Sequence, residues 1–429
     1  MPTALSTYRH LLAVVGLFLG GTALLLTLAY FRPVPFGMML IATAALVAVA
    51  IVEPGPELLP GDTRYPAVLG LFGLFYGLGP MSATGPQRLV LLIPVILIVA
   101  AAVPAVRPFW FWAALAVLLV SHVGHILETA GLRSDVNILF VTAVHSLVHG
   151  HTVYSPTAVT DGPPIPFTYP PGALVLLAPS VLLAGDARWA LVGGELVACV
   201  TMWVLLPRRE GRVDVWRQAL LLIPLALPRV GEYFFEAANH EWVVLAVTAL
   251  LLLAIARRRE VAAGLLLALA LSTKQTALLY PGAFIVRFVK PRMAVLAAGL
   301  AVASVAPFLV QDFHGTITGV LDPGLHGSGD YPNRLHVYAA LVALGLHPGR
   351  AVQLALQAVG LAAGFLLWRR ASQSPARALT AAGAAWIVLV ILSPFAGYNY
   401  YAYGIALCAW GLALQVSPPA GDEVRPIGG

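Results

Sequence analysis

The chain has 429 residues, of which 59% are hydrophobic and only 10% are charged, and its formal net charge is +6 at pH 7. This composition excludes a soluble globular protein and predicts a polytopic membrane protein. The basic residues lie in small clusters at the ends of apolar segments, so they indicate membrane topology rather than a nucleic-acid surface.

Apolar segments of about 15 to 20 residues recur along the chain, separated by short loops, and they match helices that cross a hydrocarbon core of roughly 30 Å. We place them, in chain order, at 10–30, 36–53, 65–79, 89–106, 108–128, 188–206, 217–230, 242–256, 261–273, 276–289, 293–310, 351–368, 378–394 and 400–416. The expected fold is all-α, a bundle of roughly 12 to 14 transmembrane helices with interfacial helices in the outer loops. The first segment lacks a convincing cleavage site, so we interpret it as a transmembrane helix and not as a signal peptide.

Basic clusters between the later segments set the orientation. The positive-inside rule assigns these clusters to the cytoplasm: Arg208, Arg209, Arg212 and Arg217; Arg257, Arg258 and Arg259; Lys290 and Arg292; Arg369, Arg370 and Arg377. If Gly172 to Gly185 also crossed the membrane, every one of these clusters would lie outside. We therefore predict an interfacial or half-inserted helix there, on the outer side, beginning at Pro170-Pro171.

Three polar loops fall on the outer side in this topology. The first runs over 128–188 and the second over 311–350, and the third, over 232–241, carries Asn239 and His240. Polar loops that converge over a helical bundle predict a cavity that opens outward.

The first outer loop contains a stretch with helical spacing from Asp135 to Gly150. Its histidines, His145 and His149, are four residues apart on one polar edge. We predict a helix on the membrane surface that starts at Ser134 or Asp135 and is ended by Gly150. Its apolar arc would consist of Ile138, Leu139, Val141 and Val148.

The order of motifs in this loop resembles a known fold. An acidic residue after an outgoing helix (Asp135), a segment from Gly150 to Tyr154, and Tyr169-Pro170-Pro171 are similar to the first outer loop of GT-C glycosyltransferases. Within that fold, the loop most resembles the polyprenyl-phosphate-mannose-dependent mannosyltransferases of actinobacteria. Looser matches are Lys274 followed by Tyr280-Pro281, Asn333-Arg334-Leu335, and Ser393-Pro394.

This resemblance implies a membrane enzyme that transfers a sugar, typically mannose, from a polyprenyl phosphate to a glycolipid or cell-wall glycan acceptor. The reaction would take place at the outer face of a bacterial plasma membrane, with inversion, without a cofactor, and with Asp135 as the base. The alternative for Asp135 is a helix cap paired with Arg133. The resemblance further implies a GT-C-like core over 107–310, with the second outer loop and the C-terminal helices over 311–429. Residues 1–106 would be transmembrane segments of unknown role.

Several other polar residues are candidates for substrate contacts. Lys274 interrupts an apolar stretch at the outer end of a short helix pair, where a charge is expensive unless it faces a cavity, so we expect it to bind the donor phosphate. Its alternative is snorkelling to the interface. Arg334 and His336 are similar phosphate candidates, with ordinary loop charges as the alternative. The expected substrate-binding residues are Tyr169, His145, His149, Asn239 and His240.

Two further hypotheses are left open by the sequence. His122 and His125 lie three apart with Glu128 three further on, a spacing that suits a metal, but no His-Glu-x-x-His motif is present and we predict no metal. A lipid or glycolipid transporter or flippase without chemistry is the alternative function, and it would place ionisable residues in mid-bilayer.

The tyrosines at 398, 400, 401 and 403 are interpreted as an aromatic belt, with sugar stacking as the alternative. The two cysteines, at 199 and 408, predict neither a disulfide nor a metal site.

Overall fold

The structure is a computed structural model that describes residues 9–26, 32–52, 89, 92–129, 135–154, 167–209, 211–222, 240–275, 282–325, 335–371, 374–393 and 398–415. Its first helices are α1 (Arg9–Leu26), α2 (Pro33–Ile51), α3 (Leu92–Ala102), α4 (Trp110–Glu128), α5 (Asp135–Val148), α6 (Pro171–Ala184), α7 (Arg188–Leu205) and α8 (Val215–Leu222). They are followed by α9 (Glu241–Ala256), α10 (Glu260–Thr273), α11 (Ala283–Ile285), α12 (Pro291–Gln311), α13 (Phe313–Leu325), α14 (Val337–Ala343), α15 (Arg350–Arg370), α16 (Pro375–Leu392) and α17 (Tyr398–Leu414). Short 3₁₀ turns cover Pro104–Val106 and Val286–Phe288.

The predicted all-α membrane architecture is confirmed. Six of the described helices are long and apolar enough to cross a membrane, namely α2, α4, α7, α12, α15 and α16, and seven shorter apolar helices accompany them. Within the described residues the strands are limited to β1 (Arg208–Arg209) and β2 (Arg212–Val213), a two-residue antiparallel ladder at one of the arginine clusters. The predicted segment 65–79 lies outside the described residues.

Both helices predicted for the first outer loop are present. Helix α5 begins at Asp135 and is followed by Gly150, whose φ is +73°. Helix α6 begins at Pro171, whose ring fits the first helical turn, where no backbone N–H is needed. The predicted apolar arc of α5 is partly wrong, because Phe140 and Val144 are fully buried whereas Val148 is 59% exposed.

The predicted helix over 276–289 is present but irregular in its described part. Over 282–289 the chain forms the three-residue α11 and a 3₁₀ turn, and Val289 is extended. The described part leads to Lys290, which pairs with Glu260 at the end of α10 opposite Thr273. The 14 residues of α10 separate those two ends by about 21 Å.

Buried polar contacts tie the two ends of the chain together. The guanidinium of Arg9 is buried and donates from Nε to the Val49 carbonyl at 3.1 Å and from Nη2 to Gln415 Oε1 at 2.5 Å. The hairpin of α1 and α2 therefore packs beside the last helices, α16 and α17. The division of the chain at residue 106 remains a prediction.

Candidate functional site

The centre of the candidate site is a buried ion pair at one end of the hairpin formed by α9 and α10. Glu241 is the first residue of α9, and Lys274 follows the last residue of α10 with an extended backbone, at φ −151° and ψ 140°. Lys274 Nζ lies 2.5 Å from Glu241 Oε1, and the two residues are only 3% and 2% exposed. The antiparallel hairpin brings together two charges that are 33 positions apart in the sequence.

Aromatic rings from distant parts of the chain surround this ammonium. Lys274 Nζ lies 5.9 Å from the ring centroid of Tyr169 and 5.5 Å from that of Tyr400. Both distances are within the range of a cation–π interaction, which is stronger where water is excluded. Lys274 therefore joins the first outer loop to α17.

His240 completes this group from the position just before α9. It is fully buried, and its ring Nε2 lies 3.3 Å from the carbonyl oxygen of Thr273. A carbonyl only accepts, so Nε2 carries the proton and Nδ1 presents a lone pair. Among the described residues, Nδ1 has no hydrogen-bond partner. Burial, and secondarily the charge of Lys274, hold the pKa of His240 well below its usual value, so the ring is neutral.

Helix α5 reaches the same group through Phe140. The Phe140 ring stacks on Tyr169, with centroids 5.1 Å apart, and meets His240 edge-on at 5.3 Å. Asp135 precedes Phe140 by five residues, which is about 7.5 Å along the helix axis. This aromatic packing fixes Phe140 of α5 beside Tyr169 and His240.

Backbone carbonyls of the first outer loop are fixed by two side chains. Gln275 Nε2 donates to the carbonyls of Thr168 at 2.7 Å and Val320 at 2.9 Å, so it links the first outer loop to α13 in the second. Tyr154 donates its hydroxyl to the Tyr169 carbonyl at 2.8 Å. Burial raises the pKa of Tyr154, so its hydroxyl stays protonated and able to donate.

Close backbone approach at two glycines supports this arrangement. A Cβ at Gly319 would lie 2.4 Å from the Phe167 carbonyl oxygen, and one at Gly172 would lie 2.5 Å from Ser272 Oγ. Larger residues would therefore push α13 and α6 away from the segments that carry Tyr169 and Lys274.

The structure brings together three of the predicted site residues, Tyr169, His240 and Lys274. His336 caps α14, where its Nδ1 accepts from the backbone N–H of Ala339 at 3.0 Å, and it is fully buried. The preceding carbonyl, of Leu335, accepts from the Tyr401 hydroxyl at 2.6 Å, so His336 lies beside α17. Two predicted residues, Asn239 and Arg334, lie outside the described residues.

The two histidines predicted on α5 do not join this group. His145 and His149 are both exposed, on the face of α5 away from Phe140. His149 Nδ1 lies 2.7 Å from the carbonyl oxygen of His145, so the two residues are linked to each other. Substrate binding by these two histidines therefore requires a substrate at the protein surface.

Two polar residues of the site, Glu241 and Gln275, were not predicted from the sequence. Two tyrosines differ from the predicted aromatic belt, because Tyr401 and Tyr403 are each only 1% exposed and face the interior of the bundle. The ring of Tyr400, on the same helix, faces the ammonium of Lys274.

A second buried acid–base pair lies between α4 and α7. His122 Nδ1 is 2.7 Å from Glu195 Oε2, and both side chains are almost completely buried. At the start of α7, the guanidinium of Arg188 donates to Asp186 and to Thr129. No group of three or more His, Cys, Asp or Glu residues that could hold a metal ion is found in the described part of the chain.

The fold and this site define an integral membrane protein whose charged residues are concentrated at helix ends and paired inside a helical bundle. The family model of glycosyltransferase family 87 matches residues 167–394, more than half of the chain. The chain belongs to glycosyltransferase family 87 and is a membrane glycosyltransferase. No curated protein and no solved structure matches the chain. The matched region contains Tyr169, His240, Glu241 and Lys274, whereas Asp135 lies before it.

Proposed function

We propose that the chain transfers mannose from a polyprenyl phosphate to a glycolipid or cell-wall glycan acceptor. The reaction takes place at the outer face of a bacterial plasma membrane, in a GT-C-type site, with inversion at the anomeric carbon and with Asp135 as the base. The observation that carries this proposal is the buried Lys274, held among aromatic rings where the first outer loop meets the α9–α10 hairpin.

The charge of the site suits a lipid-linked phosphodiester. A sugar attached through one phosphate to a polyprenol carries a single negative charge, and an ammonium can form a charge-assisted hydrogen bond to it in a site that excludes water. Lys274 supplies that ammonium, and Arg334 and His336 are proposed as further donors to the phosphate. The aromatic rings around Lys274 provide apolar surface for the first part of the lipid or a face of the sugar.

The proposed chemistry is a single displacement. The acceptor hydroxyl gives its proton to the Asp135 carboxylate as its oxygen bonds to the anomeric carbon, and the bond from that carbon to the phosphate oxygen breaks. The polyprenyl phosphate leaves as an anion, so it needs a cation close to the departing oxygen and not a general acid. Lys274 has this role in the proposal.

His240 is proposed to bind a hydroxyl of the sugar or of the acceptor. Its Nδ1 is an acceptor with no partner among the described residues, so a substrate hydroxyl can donate to it. Tyr169, which packs edge-on against His240 with centroids 4.5 Å apart, lies where it can contact the same substrate. Asn239, His145 and His149 remain further candidates for substrate contacts.

The test is transfer of radiolabelled mannose from synthetic polyprenyl phosphate mannose to a membrane lipid extract. We expect the wild type to form a labelled product and Asp135→Asn to lose at least about 100-fold in rate, within the range that a positioned base contributes. The matched control is Glu128→Gln, which removes an exposed carboxylate at the end of α4 and should keep wild-type turnover.

Other outcomes would contradict separate parts of the proposal. Unchanged turnover in Asp135→Asn would remove the proposed base but leave the donor class intact. Transfer from polyprenyl phosphate glucose in preference to mannose would replace the sugar. Absence of transfer from every lipid-linked donor, together with movement of labelled lipid across vesicle membranes, would contradict the proposed transfer reaction and support the transporter alternative.

A further inference from the structure

Glu241 is placed to control the charge of Lys274. It contacts the ammonium directly, and it lies in the region matched by the family model. We infer that Glu241 is a positioning residue that keeps Lys274 protonated and fixed in place before the donor phosphate arrives. This inference rests on the proposed function, in which Lys274 contacts that phosphate.

Of the described groups that face the Lys274 ammonium, Glu241 is the one that carries a negative charge. His240 is a neutral ring bonded to the Thr273 carbonyl, and Tyr169 and Tyr400 present ring faces. Tyr403 lies on α17 beside Glu241. Glu241 is the one carboxylate that contacts Lys274 within the described residues. A buried amine that lacks such a partner favours its neutral form.

The consequence is a linkage between donor binding and protons. In the wild type Glu241 Oε1 contacts Lys274 Nζ directly, and in this inference binding of the donor phosphate requires no proton from solvent. Without the carboxylate, the dry site favours the neutral amine, and the phosphate must be accompanied by one proton. Donor binding then weakens as the pH rises, by at most tenfold for each pH unit because a single proton is taken up.

The experiment measures the donor KM and kcat of Glu241→Gln from about pH 6 to pH 9, with polyprenyl phosphate mannose as the donor. The readout is the ratio of the variant KM to the wild-type KM, which cancels titrations that both proteins share. We expect this ratio to rise with pH by up to about tenfold per unit. At saturating donor, kcat should stay within about threefold of the wild type, because the proton has then been taken up.

Two further variants separate this role from a general structural one. Glu241→Gln combined with Lys274→Arg keeps a permanent cation without the carboxylate, so its KM ratio should be flat with pH. Glu260→Gln is the matched control, since Glu260 also pairs with a lysine, Lys290, but at the exposed end of α10, and its ratio should stay near one.

The results that would overturn the inference are specific. A flat KM ratio in folded Glu241→Gln would do so, as would the same rise with pH in the variant that carries arginine. If Glu241→Gln does not fold, Glu241→Ala, which also removes the carboxylate, is measured in its place; the same rise of the KM ratio with pH is expected, and a flat ratio would overturn the inference. Failure of the wild type to use the donor would instead contradict the proposed function.

Discussion

Two buried acid–base pairs with nearly equal contact distances occupy different kinds of place in this molecule. Lys274 and Glu241 are 2.5 Å apart at the ends of two helices, and His122 and Glu195 are 2.7 Å apart in the interiors of α4 and α7. The first pair is surrounded by Tyr169, from the first outer loop, and by α17. The second joins two spanning helices.

The difference teaches that burial of a charge pair does not by itself mark a site. A buried pair between two helices can serve their packing, and replacing it by apolar residues is often neutral or stabilising. A pair at helix ends, where segments distant in sequence converge, can be reached by a substrate that enters from the loops. We therefore expect the two pairs to respond to mutation in opposite ways, one in catalysis and the other in stability.

The largest effect is expected at Lys274. Lys274→Met keeps most of the length of the side chain but removes its charge, and kcat/KM should fall at least about 30-fold, since loss of one partner of a buried charge contact costs about 2–5 kcal/mol. The measurement is initial transfer rate on protein matched for folded fraction by size-exclusion chromatography.

The sequence offers a natural control, because its other lysine, Lys290, has a side chain that is 57% exposed. Lys290→Met should retain wild-type rates. Equal losses in the two variants would show that the assay reports a general effect of removing lysine and not a role of the buried pair.

A smaller effect, on stability and not on turnover, is expected at the second pair. His122→Leu leaves the Glu195 carboxylate buried without its partner and should lower the free energy of unfolding in detergent by about 3 kcal/mol. Adding Glu195→Met should recover most of that loss, while kcat/KM of both variants stays within about threefold of the wild type. A large fall in kcat at unchanged stability would place this pair in the catalytic machinery after all.

The smallest effect is expected at the exposed pair of α10. Lys290, and secondarily Arg292, lower the pKa of Glu260 through hydrogen bonds. Because this pKa is lowered on folding, any stabilisation is present at neutral pH and is lost as the pH falls through the folded-state value. Glu260→Gln should leave the melting temperature almost unchanged, and high salt should erase the remaining difference. A clear loss of stability at neutral pH and high salt would show that this pair is screened less than its exposure suggests.

Sequence patterns were sufficient for the helices but not for their faces. The spacing from Asp135 to Gly150 and the prolines at 170 and 171 predicted α5 and α6 because caps and helix breakers act locally. The direction in which Tyr401 and Tyr403 point could not be predicted, because both sides of a membrane helix are apolar and periodicity does not distinguish lipid from bundle interior.

The candidate site was only half predicted, for a related reason. Lys274 was recognisable because a charge interrupts an apolar run, whereas Glu241 was seen only as the end of a polar loop. Their contact depends on the pairing of α9 with α10, which no local pattern encodes. A usable signal existed, since an acid that opens one apolar run and a base that closes the next must meet if the two runs form an antiparallel hairpin.

The direction of the two helices in the hairpin also determines which position of the pair favours the acidic residue. The peptide dipoles of a helix add to a partial positive charge at its first turn and a partial negative charge at its last. Glu241 lies in the first turn of α9 and Lys274 just beyond the last turn of α10, so each charge is stabilised by the macrodipole of its own helix. The direction of the two helices therefore favours a cation at position 274, which follows the end of α10, and an anion at position 241, which begins α9.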